Sequence, residues 1–433
     1  MRRFKLRSAP ATEIASIAVI VAIGLAARIS WAAWAHATPN FDNDGAFYHA
    51  IAVGISRGDG YRSPFGAATT YVPPAYPSLL ALALKFGDGA RIAAVLLNAG
   101  LGVLAVLAVY FFARPGLRAG PAILLALLLA LLPSQIISTA VFFPDALFAA
   151  LTFFGLGLYV RSLKSSGGPW IAFAGGVFLG IATLAESQLV LFPVLLAIHF
   201  LAINRWRLRS LFIGCLPIVG AALVVLPWCI SNVVRIGDVG PVSTNGGVAF
   251  WIGHHDGATG HIESPGPIRE VATNEDLTVW ERYTNRMGYR RGLAYAVKHP
   301  GPEFANVWKK LFFTFGDDEE WMQLNENHGS DPIISQLVRD YWFSLSNIYY
   351  YMIVTLGVVG ILLTWRRWNA VMTVALIFAC YWIALHAMFY GEARFHTALL
   401  PVFALFAAIA AMTILRRATY TKNSEPIGAS QQR

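Results

Sequence analysis

The chain has 433 residues, of which 56% are hydrophobic and 13% are charged, and its formal net charge is +9 at pH 7. The charged fraction is about half that of an average soluble domain, and the apolar residues come in long runs. This composition excludes an ordinary soluble domain and predicts an all-α polytopic membrane protein.

Ten apolar segments are long enough, or nearly long enough, to cross about 30 Å of hydrocarbon. In chain order these predicted spans are 13–35, 91–113, 119–136, 141–160, 169–186, 187–204, 210–231, 346–364, 369–390 and 395–415. The boundary at Glu186 is the weakest, because 169–204 can also be drawn as one broken run. A short apolar piece at 76–86 predicts a re-entrant or interfacial helix.

The Lys and Arg residues indicate the orientation, because short cytoplasmic loops of membrane proteins carry an excess of basic residues. The basic clusters fall at alternate ends of the predicted spans, which places both termini in the cytoplasm. The loop 36–90 and the long segment 232–345 then share the outer face. The positive net charge is explained by this bias, so no nucleic-acid partner is expected. The N-terminal run lacks a cleavage site and is expected to remain as an anchor.

The chain therefore divides into four predicted parts: a membrane module at 1–231, an outer-face loop or small domain at 232–345, the last membrane helices at 346–417 and a disordered cytoplasmic tail at 418–433. Within the second part, 268–298 and 306–315 have helical character, the latter amphipathic or interfacial. The acidic run from Asp317 to Glu320 is interpreted as a solvated loop.

A histidine-rich segment of the outer part has the residue types of a metal site but not the spacing. His254, His255, Asp256 and His261 match no helical ligand pair, so we assign no metal and no cofactor. His386 lies in an apolar span, where a histidine is more often a packed core residue, but its place near the outer helix end makes it a candidate cavity residue.

Two carboxylates, Asp42 and Asp44, follow the first predicted span in a loop rich in Pro, Gly and aromatic residues. A chain that keeps charge out of its apolar runs has placed acid at a membrane boundary, which indicates catalysis or ion handling. The alternative is that both acids cap a loop helix, with Asp44 ahead of 46–56.

Five motifs occur in order along the chain: FDNDGAFYHAIAVGISRGDGY, TYVPPAYPSLLAL, PSQIISTAVFFPDALFAAL, PWCISNVVRIGDVGPVSTNGGVAFWIGHHDGATG and ARFHTALLP. The series resembles bacterial glycosyltransferases of the C superfamily, in the branch of the protein O-mannosyltransferases and the lipid A aminoarabinose transferase. The resemblance implies a multi-helix membrane bundle, a polyprenyl-phosphate-linked sugar donor and transfer with inversion.

The resemblance also implies roles for residues of the first loop. Asp44 occupies the position of the family's catalytic acid, four residues before Tyr48, and would take the proton of an acceptor hydroxyl. The family often has a second acid directly after it, but here that residue is Gly45, so Asp42 can share or take the role. Tyr71, in the second motif, is a candidate substrate contact.

Two arginines are candidate contacts of the donor phosphate. Arg394, in ARFHTALLP, resembles the arginine of the family's motif before the final helix, although an interfacial anchor would also suit it. Arg28 lies inside the first span, where an unpaired charge would cost about 2.5–3.5 kcal/mol. We therefore expect a partner for it, with Asp145 and Glu186 as candidates.

Two further features concern the substrate. Glu186 stands where the family has an arginine followed by proline, and this departure puts the donor identity in doubt. In the Gly-rich fourth motif, Asn245 and Trp251 are candidate contacts of the sugar or lipid head.

The sequence thus predicts an inverting hexosyl- or pentosyltransferase of the bacterial inner membrane with its active face outward. Its partners would be a polyprenyl-phosphate-linked sugar, a lipid, glycan or protein acceptor, and membrane lipids. A transporter and a non-catalytic envelope-assembly protein are the alternatives; a transporter would carry polar residues at mid-bilayer in discontinuous helices.

Overall fold

A computed structural model describes residues 10–35, 44–87, 90–163, 168–237, 242–263, 277–326 and 332–423. These residues form α-helices joined by turns, and no strand occurs among them. The prediction of an all-α polytopic membrane protein is therefore confirmed.

The helices, numbered in chain order, begin with α1 (Ala11–Ala35), α2 (Asp44–Arg57), α3 (Ala75–Leu84), α4 (Ala90–Ala113), α5 (Ala119–Ala130), α6 (Pro133–Ile137), α7 (Asp145–Ser162), α8 (Gly168–Thr183) and α9 (Phe192–Ile203). They continue with α10 (Leu208–Ile236), α11 (Gly246–Ile252), α12 (Leu277–Lys298), α13 (Pro300–Phe315), α14 (Glu320–Asn325), α15 (Gln336–Thr364), α16 (Ala370–Met388) and α17 (Leu400–Asn423). Short 3₁₀ helices occur at Ser138–Ala140, Ser187–Leu189 and Ala393–Leu399.

The number of spans differs from the prediction of ten. Among the described residues, 7 helices are long and apolar enough to cross a membrane, or up to 8 if the pair Ala119–Ala130 and Pro133–Ala140, bent by 54°, counts as one span. The predicted spans 169–186 and 187–204 contain helices of only 16 and 12 residues. Because a span needs about 17–25 residues, length alone does not qualify these two helices.

Small residues bring α8 and α10 together. A Cβ atom on Gly176 would lie 2.2 Å from the carbonyl oxygen of Pro217, and one on Gly180 would lie 2.8 Å from that of Ala221. The two backbones therefore touch along one face of α8, as at small-residue interfaces of membrane helices.

Arg28 is buried in α1, where its Nη1 donates to the carbonyl oxygens of Gly24 and Ala130 at 3.1 and 3.0 Å. Ala130 ends α5, just before Pro133 opens α6. Carbonyl groups at a helix C-terminus lack intrahelical donors and carry partial negative charge, which favours a cation. No Asp or Glu of the described residues pairs with Arg28, so the expectation of Asp145 or Glu186 as its partner is wrong.

A buried carboxylate joins the segment between α10 and α15 to the loop between α2 and α3. Glu281 of α12 accepts hydrogen bonds from the Thr69 hydroxyl, the Thr70 N–H at 3.1 Å and the Thr244 hydroxyl at 3.1 Å. Thr69 and Thr70 lie between α2 and α3, and Thr244 lies just before α11. Glu281 therefore packs α12 against both of these stretches of chain.

Candidate active site

Asp44 is the first residue of α2, and its side chain is 62% exposed. The helix N-terminus favours a carboxylate because its free N–H groups give it partial positive charge. Asp42 lies outside the described residues, and its predicted role stays a prediction.

Arg394 reaches the same place from the other end of the chain. It lies on the 3₁₀ helix Ala393–Leu399, with its guanidinium carbon 4.7 Å from the ring centre of Phe143 and 5.5 Å from that of Phe395. A guanidinium over aromatic faces is held by the ring quadrupoles, which fixes its position without using its N–H donors.

Two carboxylates flank Arg394 at longer than hydrogen-bonding distance. Asp44 Oδ2 lies 3.8 Å from Nη1, and Glu392 Oε2 lies 3.6 Å from Nη2. Within the described part of the chain, no side-chain hydrogen bond of the guanidinium occurs at 3.5 Å or less. The ion pairs therefore orient Arg394 while leaving its donors available to a ligand oxygen.

Two further carboxylates line the deeper side of this cluster. Asp145 begins α7, and Glu186 lies in the connection between α8 and α9. Both interact electrostatically with Arg394 and with each other. Burial, reinforced by the Asp145 carboxylate, raises the pKa of Glu186 to about 8. Glu186 is therefore predominantly protonated at pH 7 and can donate a hydrogen bond.

The acidic run after α13 also contributes to the cluster, contrary to its interpretation as a solvated loop. Asp318 is 3% exposed, and the Glu320 carboxyl lies within hydrogen-bonding reach of Glu392. Burial and the Glu392 carboxylate raise the pKa of Glu320 to about 7. One arginine thus faces five carboxyl groups, which are those of Asp44, Asp145, Glu186, Glu320 and Glu392.

Two predicted tyrosines border the cluster. Tyr48 is buried and packs edge-on against Tyr76, with ring centres 5.7 Å apart, and burial and the Glu186 carboxylate raise its pKa. Tyr71 packs against Phe47 with ring centres 5.5 Å apart, and burial and the Asp44 carboxylate raise its pKa. Both tyrosines therefore remain neutral hydrogen-bonding groups at physiological pH.

A small cavity opens beside these groups. Its walls include Gln135, Phe143, Asp145 and Trp321, and it extends to Gly102. Asp145 belongs to both the cavity wall and the charged cluster, and the ring of Phe143 lies between the cavity and the Arg394 guanidinium.

A buried histidine fixes the segment that carries Arg394. His396 Nδ1 donates to the carbonyl oxygen of Thr314 at 2.8 Å, and its Nε2 lies 3.0 Å from Asp318 Oδ1. Because a carbonyl oxygen only accepts, Nδ1 carries a proton, and a second proton lies between Nε2 and the Asp318 carboxyl. This pair ties the 3₁₀ helix Ala393–Leu399 to the turn that presents Glu320.

A second buried group holds the chain just before Glu392. His254 Nδ1 lies 2.7 Å from Glu303 Oε2, and Lys310 Nζ lies 3.5 Å from the carbonyl oxygen of Met388. Burial lowers the pKa of Lys310 to about 8. The N–H of Gly391 also donates to the carbonyl oxygen of Gly260 at 2.8 Å.

Three other predicted site residues, Asn245, Trp251 and His386, contact neighbouring protein groups. Asn245 Oδ1 accepts from the Ser243 hydroxyl at 2.8 Å. Trp251 is buried, with the Arg291 guanidinium carbon 5.0 Å from its ring centre. His386 is buried and stacks on Phe395 with ring centres 4.0 Å apart. The structure does not place Asn245, Trp251 or Arg28 within the charged cluster.

Glu320 and Glu392 are cluster members that the sequence reasoning missed. Glu392 stands two residues before Arg394 at the head of a predicted span, and an acid at that boundary was a usable signal. For Glu320 there was none, because four consecutive acids usually form a solvated loop and burial is decided by the packing of α14.

Comparison with known proteins agrees with this architecture. Residues 71–232, less than half of the chain, match the family described as dolichyl-phosphate-mannose-protein mannosyltransferase. No curated protein sequence matches the chain.

Two oligosaccharyltransferase structures share the fold, and a third structure is similar at a lower score. The oligosaccharyltransferase of Archaeoglobus fulgidus in the apo form has a TM-score of 0.58 at 17% identity and aligns with 97% of this chain and 52% of its own. The oligosaccharyltransferase AglB of the same organism, in complex with an inhibitory peptide and a dolichol-phosphate, has a TM-score of 0.54 at 15% identity, covering 98% of this chain and 52% of its own. ArnT from Cupriavidus metallidurans bound to undecaprenyl phosphate has a TM-score of 0.47 at 15% identity, covering 98% of this chain and 82% of its own.

This chain therefore spans about half the length of the oligosaccharyltransferases that it matches. At such identities the likeness shows a common fold. The matched segment and the common fold agree with the resemblance that the five motifs carry.

Proposed function

We propose that this integral membrane protein, which has the fold and a family segment of the C-superfamily glycosyltransferases, transfers a hexose or pentose from a polyprenyl phosphate to a hydroxyl group. The acceptor would be a lipid, glycan or protein on the outer face of a bacterial inner membrane. The observation that carries this proposal is the exposed Asp44 carboxylate 3.8 Å from Arg394, which also interacts with the buried Asp145 in the wall of a small cavity. The family description names a dolichyl-phosphate sugar, and AglB was solved with a dolichol-phosphate, which supports the donor class.

Asp44 suits the role of general base. An acceptor hydroxyl is a weak nucleophile until its proton is removed, and a carboxylate at hydrogen-bonding distance can accept that proton during attack. The acceptor oxygen forms a bond to the anomeric carbon while the bond from that carbon to the phosphate oxygen breaks. The phosphate leaves with the electron pair, and attack from the opposite side inverts the anomeric centre.

Arg394 suits the leaving phosphate. Negative charge develops on the departing oxygens, and a guanidinium stabilises it with charge-assisted hydrogen bonds. Its unused N–H donors and its fixed position over Phe143 favour such a contact.

The excess of carboxyl groups does not prevent phosphate binding. With pKa values of about 8 and about 7, Glu186 and Glu320 are largely or partly protonated near neutral pH, which reduces the negative charge around Arg394. In their neutral form they can donate hydrogen bonds to sugar or phosphate oxygens.

The location of these groups also favours a transferase over a transporter. Asp44, Asp145 and Arg394 all stand at the ends of helices, whereas transport sites lie near the bilayer midplane in discontinuous helices.

The test compares Asp44→Asn with Asp59→Asn, a matched change at an exposed aspartate of the same outer loop. Asparagine keeps the shape and removes the proton acceptor, so transfer from polyprenyl-phosphate pentoses and hexoses should fall by about 10²–10⁴-fold. Asp59→Asn should leave turnover unchanged, and Asp42→Asn should reduce it less than Asp44→Asn.

Turnover is measured per folded molecule in lipid nanodiscs, together with binding of undecaprenyl phosphate. Asp44→Asn should bind this lipid as the parent does. Normal transfer by the Asp42→Asn, Asp44→Asn double variant would reject a loop carboxylate as the base, and loss of transfer by Asp42→Asn alone would move the role to Asp42.

A further inference from the structure

Helix α13 is amphipathic, but it buries its polar face and exposes its aromatic face. Its polar residues Asn306, Lys310 and Thr314 are buried, at 5%, 0% and 1% exposure. Its aromatic residues Phe304 and Trp308, on the opposite face, are 70% and 63% exposed, and Phe312 follows them one turn later at 69%. A helix on a protein surface in water normally buries its apolar face and exposes its polar one.

The contacts of the polar residues fix this orientation. Asn306 Nδ2 donates to the carbonyl oxygen of Gly253 at 3.0 Å, and Lys310 Nζ lies 4.0 Å from the Glu303 carboxylate. Rolling the helix to bury its aromatic face would break these buried contacts and leave Lys310 without a partner, which is costly. The exposed aromatic face is therefore a fixed property of the fold.

The C-terminal end of α13 touches a predicted membrane span. The Tyr350 hydroxyl of α15 donates to the carbonyl oxygen of Phe315 at 3.1 Å, and the Tyr351 hydroxyl donates to that of Gly316. At a rise of 1.5 Å per residue, Tyr350 lies about 21 Å from Thr364, where α15 ends ahead of the basic pair Arg366 and Arg367. With a hydrocarbon layer of about 30 Å, this contact falls inside the membrane.

Exposed apolar residues of α15 flank the two tyrosines that contact the end of α13. Ile348 and Met352, near the contact with α13, are 68% and 40% exposed, as expected of residues that face lipid. An aromatic face that adjoins a lipid-facing surface at this depth has the composition of an interfacial helix, in which Trp and Phe lie at the boundary of headgroups and acyl chains.

We propose that α13 lies in the outer leaflet and that Phe304, Trp308 and Phe312 contact lipid. The occupant of this face is the bilayer itself. On its opposite side α13 carries Lys310 and Thr314, which contact Met388 and His396 near Arg394. The helix therefore contacts the segment that carries Arg394 from within the outer leaflet. This inference depends on the membrane topology and is independent of the transfer reaction.

The test places a nitroxide at 304, 308 or 312 of the full chain in lipid nanodiscs, after Cys215, Cys229 and Cys380 are changed to Ser. Helix α15 supplies both controls. Leu362, 66% exposed, lies within the span, whereas Leu337, 80% exposed, lies about 40 Å from Thr364 and outside the hydrocarbon.

The ratio of collision rates with oxygen and with a water-soluble nickel chelate reports the surroundings of each label. At all three α13 sites this ratio should exceed that at Leu337 several-fold and approach that at Leu362. Ratios like that at Leu337 would place α13 in water and overturn the proposal. Protection from both reagents would indicate a second copy or a protein partner and would also overturn it.

A second measurement avoids the cysteine changes. The emission contributed by Trp308 is the difference between the spectra of the parent and of Trp308→Phe, and lipids brominated near the glycerol end of their acyl chains should quench this difference. A difference spectrum that brominated lipids leave unchanged would contradict lipid contact by Trp308.

Discussion

Arg28 is buried inside α1, whereas Arg394 stands ahead of α17 with a side chain that is 14% exposed, and the surroundings of these two arginines differ in kind. The Nη1 of Arg28 donates hydrogen bonds to two backbone carbonyl oxygens, and no carboxylate of the described residues pairs with this arginine. Arg394 is oriented by carboxylates at 3.6 and 3.8 Å and by two aromatic rings. Arg28 provides a donor to the last carbonyl group of α5, at the bend between α5 and α6. Arg394, in contrast, keeps N–H donors that are available to a ligand.

The difference teaches that a buried charge in a membrane protein is informative only together with its partners. The Nη1 of Arg28 donates to a carbonyl within α1 and to one at the end of α5, so two helices of the fold hold this side chain, although its Nε has no hydrogen-bond partner among the described residues. The groups around Arg394 hold its position without saturating it, which is the arrangement that a binding site needs.

Of the two arginines, Arg394 should have the larger effect on the transfer rate when it is removed. Arg394→Ala should reduce transfer by about 10²–10³-fold, the cost of losing one strong electrostatic donor to a transition state. Arg394→Lys should retain partial activity, because an ammonium group supplies charge but not two parallel hydrogen bonds. The measurement is turnover per folded molecule with polyprenyl-phosphate sugars, and binding of undecaprenyl phosphate.

Full activity of Arg394→Lys, together with reduced membrane insertion of Arg394→Ala, would instead identify an interfacial anchor. A well-folded Arg394→Ala variant that binds undecaprenyl phosphate as tightly as the parent would remove Arg394 from the donor site.

Replacing Arg28 should reduce the stability of the protein and leave its transfer rate nearly unchanged. Arg28→Met keeps much of the side-chain volume but loses the hydrogen bonds to Gly24 and Ala130, which should destabilise the protein by about 1–3 kcal/mol. Turnover per folded molecule should stay near that of the parent. Thermal unfolding in detergent and the transfer assay measure the two quantities separately.

Arg28→Lys is the matched control, because its ammonium group can still donate to the helix end. A loss of turnover in Arg28→Met as large as that in Arg394→Ala would show that Arg28 contacts substrate, as the sequence suggested.

The smallest effect concerns the pH dependence of stability. The pKa of Glu320 is about 7, above its ordinary value of 4.5. Between these values the folded protein holds a proton that the unfolded chain releases, so stability falls as the pH rises through this window. Glu320→Gln removes this titration and should raise the midpoint of thermal unfolding at pH 8 by roughly 2 °C.

At a pH below the ordinary pKa of glutamate the two proteins should unfold at the same temperature, because the parent then carries the proton in both states. Glu392→Gln should show the same reduced pH dependence, since Glu320 is raised partly by the Glu392 carboxylate. Parallel pH profiles of the parent and Glu320→Gln would show that Glu320 ionises normally.

The sequence predicted the candidate site unevenly. Asp44 and Arg394 were chosen because acids and arginines are rare at membrane boundaries, and the structure brings them together across 350 residues of chain. Glu320 was missed because a run of charged residues has no pattern that distinguishes a solvated turn from a buried one, whereas Glu392 was missed although its place two residues before Arg394 was a usable signal. The metal-like histidine segment shows the converse, since His254 contacts Glu303 and the Met388 carbonyl in a buried structural cluster.

By itself the sequence determined the membrane character, the helical fold class and the motifs of a glycosyltransferase superfamily. Hydrophobic length and local charge are properties of contiguous residues, so they can be read without knowing the packing. The tertiary structure decided the partner of Arg28, the shortened helices α8 and α9, the outward aromatic face of α13 and the carboxyl groups around Arg394. Each of these depends on residues that are distant in the chain and become neighbours only when the helices pack.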